Sequence, residues 1–273
     1  MPELPEVETI RRDLQQLKGI KIIDVKVIAA RVCRNITPEK LAIRIKNKII
    51  SDIYRRGKAL VFVLSDKKFL TVQLGMTGQL LVKSKQKNVE YDKAAKVVFK
   101  LSNAKNLIYN DQRMFGRICA VDKLEGIDYF AALGVEPLGE QFNVKYISEH
   151  VARRSIPVKV LLMDQKFVAG IGNIYASEIL FEAGIDPRKR SSLLDAKQIS
   201  AIVKASKRIL KESIKNRGTT FRDYRDASGS KGRFAEKLKV YGREGLPCIK
   251  CKTLINNIVQ AQRSTFYCPK CQI

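Results

Sequence analysis

The C-terminal stretch CIKCKTLINNIVQAQRSTFYCPKC, residues 248–271, contains two Cys-x-x-Cys pairs separated by sixteen residues. Four thiolates at this spacing predict a tetrahedral Zn²⁺ site formed by Cys248, Cys251, Cys268 and Cys271. Because the protein supplies all four ligands, we expect one structural zinc ion without a catalytic role. Between the pairs, LINNIV predicts a strand, and the polar tip QAQRSTFY that follows it completes a zinc-held β-hairpin.

The charge of the chain indicates which partners to expect. The 273 residues include 52 Lys and Arg against 27 Asp and Glu, a net charge of +25. This excess predicts a polyanionic partner, with nucleic acid ahead of an anionic membrane surface. In this setting Arg263, on the metal-held hairpin, is predicted to contact a phosphate. No apolar run approaches the ~20 residues that cross a bilayer, and no secretory signal is visible, so we expect a cytoplasmic protein with reduced thiols.

The chain has two differently patterned parts. Runs rich in Val, Ile, Leu and Phe predict the strands of a β-sandwich or barrel. They span residues 20–28, 59–64, 69–74, 96–101 and 106–110, and a short helix is expected after Glu8 through Leu17. The Gly- and Pro-containing stretch LGVEPLGEQF predicts a linker. Beyond it, apolar residues recur at helical spacing over residues 199–214, with Asp195 and Gln198 as a capping box.

A second local signal is the segment FVAGIGNIYASEILFEAG. Its Gly-Ile-Gly-Asn turn, residues 170–173, predicts the start of a helix from about Ile174 to Ala183, with Gly184 as its C-terminal stop. A preceding short helix begun by Pro157 ends in a turn near residues 164–165. Two helices joined by two turns, with free backbone amides and Asn173, predict a device that grips a DNA backbone.

The chain opens with MPELPEVE, which places a proline directly behind the initiator methionine. Taken alone, this proline suits methionine removal and fixes the backbone. The motifs along the chain change that interpretation. In order they are PELPEVE (2–8), RRGK (55–58), LGMTG (74–78), DQRMFG (111–116), GIGNIYASE (170–178), VYGREG (240–245) and AQRSTFYC (261–268).

In these motifs, over essentially its whole length, the chain resembles bacterial formamidopyrimidine-DNA glycosylase, a base-excision enzyme that removes oxidised purines. Leu4 stands where the sister family, endonuclease VIII, typically has Gly, which favours the oxidised-purine branch. The sequence departs from the family pattern at Gln73, Ala94 and Lys96, where many members have His, and at Gln112, where many have Pro. These departures affect local phosphate contacts and lesion preference.

The resemblance implies that Met1 is removed and that Pro2 becomes the nucleophile. An N-terminal proline supplies a free secondary amine, and an α-amino group titrates near ~8, so a useful fraction is unprotonated at neutral pH. Attack on the sugar C1′ gives an iminium that acidifies C2′, so the abasic site is cleaved by β,δ-elimination. The resemblance makes Glu3 the proton donor, and Glu6 the carboxylate that steadies the N-terminal segment or a helix-start charge.

The resemblance also implies a set of DNA contacts. Lys58, Asn173, Tyr241 and Arg263 match phosphate-contacting positions, and Lys58 and Arg263 count among the catalytic residues. Met76, Arg113 and Phe115 match the wedge that fills the place of a flipped nucleotide. Lys159 matches a position associated with the oxidised purine, and residues 217–234 match a loop that closes on the flipped base.

We therefore expect an α+β protein. Its parts are an N-terminal catalytic β-sandwich with flanking helices (1–134), a helix–two-turns–helix DNA-binding domain (135–237) and a zinc-bound β-hairpin (238–273). The expected activity is that of a monomeric bacterial DNA glycosylase and abasic-site lyase acting on 8-oxoguanine and formamidopyrimidines in double-stranded DNA, with no membrane partner. The alternatives are a sister-type glycosylase for oxidised pyrimidines and a non-catalytic zinc-ribbon protein that binds damaged DNA.

Overall fold

The structure is a computed structural model that describes residues 2–84, 92–152 and 154–273, and it contains two compact units. The first unit comprises Met1–Ala131 and Asn216–Ala235; the second comprises Ala132–Lys215 and Glu236–Ile273. The expected boundaries at 134/135 and 237/238 differ from these units, because residues 216–235 pack with the first unit. Tyr224 and Ala227 belong to its core, and the Val82 amide donates to the Ala227 carbonyl at 2.9 Å.

The first unit is built on two antiparallel four-stranded sheets, with strand orders β1-β6-β7-β5 and β2-β3-β4-β8. The strands are β1 (Ile22–Val27), β2 (Ile50–Arg56), β3 (Ala59–Leu64), β4 (Phe69–Gln73), β5 (Gln79–Ser84), β6 (Ala95–Leu101), β7 (Lys105–Asn110) and β8 (Arg117–Val121). Side chains of both sheets, Phe62 and Phe99 among them, lie in one buried cluster. This arrangement confirms the predicted β-sandwich.

The apolar runs predicted β1, β3, β4, β6 and β7, and the structure has all five. Strands β2, β5 and β8 were missed. Strand β2, with the sequence ISDIYRR, has only two buried residues, Ile50 and Ile53. Strands β5 and β8 have two and three buried residues and carry a charged residue at or near one end. A half-exposed strand with few apolar residues has little signal of its own and is fixed by pairing with its neighbours.

Helix α1 (Leu4–Leu14) begins five residues earlier than expected. Glu3 and Glu6 form a capping box at its start, and Pro5 stands in the first turn, where a missing backbone N–H does no harm. The prediction of a start after Glu8 was therefore wrong, because the capping box sets the start of the helix. The other helices of this unit are α2 (Pro38–Ile45), capped by Thr37, and the single turn α3 (Asp128–Ala131).

The second unit contains α4 (Val144–Val151), α5 (Val158–Met163), α6 (Asn173–Ala183) and α7 (Ala196–Lys215). The predicted ends of α6 and α5 are confirmed: Gly184 closes α6 in the left-handed conformation at φ +72°, and Pro157 precedes α5. The predicted capping box of α7 is confirmed as well. The Gln198 amide donates to Asp195 Oδ1 at 2.8 Å, and the Asp195 amide donates to Gln198 Oε1 at 3.3 Å.

The C-terminal hairpin pairs β9 (Asn256–Gln260) with β10 (Arg263–Tyr267). Its turn consists of Ala261 and Gln262, at φ +46° and +60°. A two-residue type I′ turn requires both of its central residues in the left-handed region, and its twist matches that of the two strands. Most of the expected polar tip QAQRSTFY is therefore strand β10, and Arg263 is the first residue after the turn.

Candidate functional site

The N-terminal segment is buried and ordered. Pro2, Glu3 and Glu6 are all buried, with Glu3 and Glu6 exposed by only 2% and 1%. The Glu3 backbone amide donates to Glu6 Oε2 at 2.7 Å, which fixes the residue directly behind Pro2 at the positive end of α1. Met1, whose removal is expected from the sequence, lies outside the described residues.

The second carboxylate oxygen of Glu6 contacts the segment 216–235, which we call the closing segment. The Thr219 amide donates to Glu6 Oε1 at 2.7 Å, and the Tyr224 hydroxyl donates to the Glu6 carbonyl at 3.4 Å. A Cβ on Gly218, whose φ is +79°, would stand 2.8 Å from Glu6 Oε1. Glu6 thus joins the start of the chain to the closing segment through two oxygens of one carboxylate.

An ion cluster with a fully buried Asp226 and a partly exposed Arg217 anchors the same segment. The Arg217 guanidinium donates to Asp13 on α1 and to Asp226, each at 2.6 Å. The hydrogen bond with Asp13, with Asp226 in support, raises the pKa of Arg217. Burial alone would raise the pKa of Asp226, but hydrogen bonds from Ser228 and Arg217 outweigh it and lower that pKa below its ordinary value.

Lys58 stands in the two-residue turn between β2 and β3, after Gly57 at φ +57°. Its backbone amide donates to the Tyr129 hydroxyl of α3 at 2.9 Å, and the residue is half-buried. The tight turn and the tyrosine fix the backbone from which the lysine side chain extends.

The three predicted wedge residues come from two loops of the first unit, which we call the wedge loops: residues 74–78 carry Met76, and residues 111–116 carry Arg113 and Phe115. Phe115 is 48% exposed, and the Arg113 guanidinium lies 4.6 Å from its ring centroid. An exposed phenylalanine ring beside a guanidinium suits contact with a flat, apolar partner.

Asn173 is the first residue of α6, directly after Gly172. Gln165 orders the preceding turn: its Nε2 donates to the Ile171 carbonyl at 2.7 Å, and its Oε1 accepts from the Gly170 amide at 2.9 Å. Asn173 Nδ2 donates to the Ser264 carbonyl on β10 at 3.0 Å. The second unit thus brings Asn173 against the residue next to Arg263.

Lys159 is buried, at 1% exposure, within the same cluster. Its Nζ lies 2.6 Å from Asn173 Oδ1, 2.7 Å from Thr265 Oγ1 and 2.9 Å from the Ser264 carbonyl. These three oxygens match the three N–H donors of an ammonium group. Lys159 therefore links α5, the start of α6 and strand β10.

The segment around Tyr241 is held by Glu178 of α6, which is 2% exposed. Glu178 accepts the backbone amides of Lys239, Val240 and Tyr241, each at 2.9 Å. Burial raises the pKa of Glu178, and the three amide donors oppose that rise. The Tyr241 ring packs edge-on against Phe266, with ring centroids 5.0 Å apart.

The four cysteine sulfurs lie within 4.8 Å of one another, with Cys248 Sγ and Cys271 Sγ 3.9 Å apart and Cys251 Sγ and Cys268 Sγ 3.4 Å apart. Zn–S bonds of ~2.3 Å in a tetrahedron place sulfurs about 3.8 Å apart, so the set fits one structural zinc ion. Cys248 and Cys268 pack with Phe181 of α6 in a small buried cluster, which attaches the hairpin to the helix.

Among the described residues, none of the helices has the length and hydropathy that a membrane span requires. The fold and the site together define the class of α+β proteins that combine a β-sandwich, a helix–two-turns–helix domain and a zinc-binding hairpin. Three family models match consecutive parts of the chain. They are the formamidopyrimidine-DNA glycosylase N-terminal domain at residues 1–118, its H2TH domain at 133–225, and the zinc finger found in FPG and IleRS at 245–273.

The chain belongs to the formamidopyrimidine-DNA glycosylase family. A formamidopyrimidine-DNA glycosylase of Pelotomaculum thermopropionicum is 43% identical over 278 residues, covering 100% of this chain and 99% of the relative. The structure of Lactococcus lactis Fpg with an abasic site containing DNA is 34% identical, with a TM-score of 0.91 and 99% of each chain covered. The MutM (FPG) protein from Thermus thermophilus gives a TM-score of 0.88 at 34% identity, covering 99% of this chain and 98% of that one.

These comparisons confirm the resemblance, the α+β architecture and the zinc site. The roles given to Pro2, Glu3, Glu6 and the DNA-contacting residues stay predictions. Among the residues that organise the site, sequence reasoning missed Glu178 and Gln165, and also Asp111, whose carboxylate bonds to both wedge loops. Glu178 and Asp111 lie inside quoted motifs, and a charged residue on the apolar α6 was the available signal.

Proposed function

We propose that this protein is a bifunctional DNA glycosylase and abasic-site lyase that excises 8-oxoguanine and formamidopyrimidines from duplex DNA. The observation that carries the proposal is the full-length match to formamidopyrimidine-DNA glycosylases, because it includes the proline-led N-terminus. The net charge of +25 and the exposed Phe115 fit a DNA partner. As this substrate is chromosomal, we place the protein in the bacterial cytoplasm, bound to the nucleoid.

Once Met1 is removed, the Pro2 nitrogen is a secondary amine. It attacks the sugar C1′, the C1′–N bond to the damaged base breaks, and the base leaves with a proton supplied by Glu3. The Pro2 nitrogen gives up its own proton, the C1′–O4′ bond of the sugar ring opens with its electron pair and a proton going to O4′, and the nitrogen and C1′ form a cationic iminium. The resulting iminium draws electrons from C2′. Loss of the C2′ proton expels the 3′ phosphate, and a second elimination expels the 5′ phosphate. Glu6 supports this chemistry by holding the Glu3 amide at 2.7 Å.

The DNA contacts divide between the two units. In the first unit, Lys58 contacts the phosphate at the lesion, and Met76, Arg113 and Phe115 fill the space of the flipped nucleotide. In the second unit, Asn173, Tyr241 and Arg263 contact flanking phosphates. Lys159 is buried and has three oxygen acceptors. This supports a role in fixing Asn173 and the hairpin rather than in contacting the purine directly.

The zinc ion, bound by the four cysteines, supplies structure alone. It fixes the ends of the hairpin that carries Arg263, while the N–H groups of Lys250 and Cys271 donate to cysteine sulfurs at 3.4 Å. Such bonds reduce the charge that four thiolates concentrate at one point.

Borohydride trapping tests the proposal. The protein is mixed with a duplex containing 8-oxoguanine opposite cytosine, reduced, and analysed for a covalent complex, with mass spectrometry of the N-terminus. We expect trapping for protein that begins at Pro2, and strong loss for Pro2→Gly and for protein that keeps Met1. A protein that binds the duplex tightly but never traps would be a damage-binding protein. Faster excision of thymine glycol than of 8-oxoguanine would indicate the pyrimidine-lesion class.

A further inference from the structure

Asp111 is a fully buried carboxylate that the proposed chemistry does not use. Its Oδ1 accepts from the Thr77 hydroxyl at 2.5 Å, and its Oδ2 accepts from the Tyr109 hydroxyl at 2.9 Å and the Gly116 amide at 2.8 Å. Thr77 lies on the first wedge loop, and Gly116 ends the second. One carboxylate therefore bonds to both loops that carry the wedge.

The contacts enclose the wedge residues. Thr77 Oγ1, while donating to Asp111, also accepts from the Arg113 backbone amide at 3.2 Å. The second wedge loop is thus fixed at Arg113 through Thr77 and at Gly116 directly. Arg113 is one of these fixed points, Phe115 lies between them, and Met76 is the residue directly before Thr77.

The glycines of the two wedge loops lie so close to neighbouring atoms that a side chain would not fit at these positions. A Cβ on Gly116 would stand 1.7 Å from the Tyr109 hydroxyl, and a Cβ on Gly75 would stand 2.6 Å from the Gly116 amide nitrogen. A Cβ on Gly78 would stand 2.0 Å from the Leu74 carbonyl oxygen. The loops therefore touch backbone to backbone around Tyr109 and Asp111.

We propose that Asp111 is a positioning residue for strand opening: its buried carboxylate holds the two wedge loops in the register that Met76, Arg113 and Phe115 need to replace a flipped nucleotide. This inference rests on the wedge role in the proposed function. The carboxyl group of Asp111 offers two acceptor oxygens to these three partners, one to the Thr77 hydroxyl and one to the Tyr109 hydroxyl and the Gly116 amide. Asparagine has the same shape but turns an N–H toward the Thr77 hydroxyl, or toward the Tyr109 hydroxyl and the Gly116 amide, so that at least one of the three bonds to this side chain is lost or reversed.

The test compares two substrates for Asp111→Asn and Thr77→Val. One is duplex DNA with 8-oxoguanine, which must be opened; the other is single-stranded DNA with a preformed abasic site, which has no base pair to open. We expect kcat/KM on the duplex to fall about tenfold to a hundredfold, the effect of losing a hydrogen bond to a charged group. Borohydride trapping on the single strand should stay within about twofold of wild type.

Two further measurements separate positioning from general stability. A 2-aminopurine beside the lesion reports wedge insertion by a change in its fluorescence. This fluorescence change should be smaller in Asp111→Asn and Thr77→Val than in wild type. It should be normal in Thr77→Ser, which keeps the hydroxyl. Thr37→Val removes the cap of α2, away from the wedge loops, and serves as a destabilised control with a normal fluorescence change.

Normal duplex activity and a normal 2-aminopurine signal in folded Asp111→Asn would overturn the inference. Equal losses on both substrates would also overturn it, because they indicate a general structural role. If Asp111→Asn does not fold, Thr77→Val decides between the same outcomes. Failure of the proposed function looks different: wild-type protein would then not trap on the single strand, while the fluorescence comparison would still report on the wedge.

Discussion

Replacing Lys159 by Met gives the sharpest test of how the second unit is held together. Methionine keeps most of the volume of the buried stem but removes the group that bonds Asn173 Oδ1, Thr265 Oγ1 and the Ser264 carbonyl. Hydrogen bonds from a charged donor each contribute about 1.5–3 kcal/mol. Relief of the desolvation cost of a buried ammonium offsets part of this sum. We therefore expect a net loss of about 2–4 kcal/mol in the free energy of unfolding.

The assay is thermal unfolding of the zinc-loaded protein, where a loss of this size lowers the melting temperature of the affected transition by roughly 10 °C. Binding to undamaged duplex DNA is measured in parallel over a range of salt concentrations. Affinity should fall, because Asn173 and the backbone beside Arg263 lose the group that fixes them.

Lys166→Met is the matched control, since it removes the same charge from an exposed position in the same unit. Its effect should stay within about 0.5 kcal/mol. A melting temperature for Lys159→Met equal to that of the control would refute the reasoning, because the three contacts would then contribute nothing in solution.

Three further predictions concern the hairpin and the closing segment. Cys268→Ser should abolish stoichiometric zinc binding and lower affinity for duplex DNA, measured by metal analysis and fluorescence anisotropy. Ala261→Gly relieves a left-handed alanine at φ +46° and should stabilise the hairpin by up to about 1 kcal/mol, seen as slower amide exchange in β9 and β10. The pKa of Asp226 is lower in the folded protein than in the unfolded chain, where it is ~3.9. Its ion cluster therefore stabilises the protein above pH ~3.9, and this stabilisation is lost as the pH falls through the pKa of Asp226 in the folded protein. The difference in urea stability between wild type and Asp226→Asn should therefore shrink from about pH 6 to about pH 3.

Each of these predictions has a result that contradicts it. Full zinc occupancy in Cys268→Ser would mean that three thiolates suffice. Faster amide exchange in Ala261→Gly would mean that the added chain entropy exceeds the strain that is removed. A stability difference for Asp226→Asn that stays constant with pH would mean that Asp226 has the same pKa in the folded and unfolded chain. Glu212→Gln, at an exposed carboxylate on α7, serves as the control for the last experiment.

The zinc site was predictable because all four of its ligands lie within one short stretch of the sequence. Four cysteines at fixed spacing specify both the ligand type and a geometry that a short hairpin can reach. The start and end of α6 were predictable for a similar reason, since Gly172 and Gly184 mark the points where the backbone leaves the helix. The N-terminal segment is different. Its function was inferred from the resemblance, and the capping box that places Glu3 and Glu6 was not noticed.

The contacts that organise the site were not predictable, because they join residues far apart in the chain. Lys159 bonds to a strand more than a hundred residues later, and Glu178 bonds to amides about sixty residues later. Neither the periodicity of apolar residues nor the spacing of a motif predicts such distant pairs. In a chain with 52 basic residues, a single lysine gives no sign that it is buried.

The burial of charge runs against the composition, and this has a physical explanation. Among the described residues, the buried charged side chains are Glu3, Glu6, Asp111, Lys159, Glu178 and Asp226, so that five of six are acidic although basic residues outnumber acidic ones by 52 to 27. The carboxylates of Glu6, Asp111, Glu178 and Asp226 accept hydrogen bonds from backbone amides, which are donors that loops leave unpaired. A carboxylate can join two or three such donors, whereas lysine and arginine, which only donate, cannot accept from any of them. The fold therefore uses its scarce acids inside to fix loops, and this leaves the basic excess outside, where a polyanion can neutralise it.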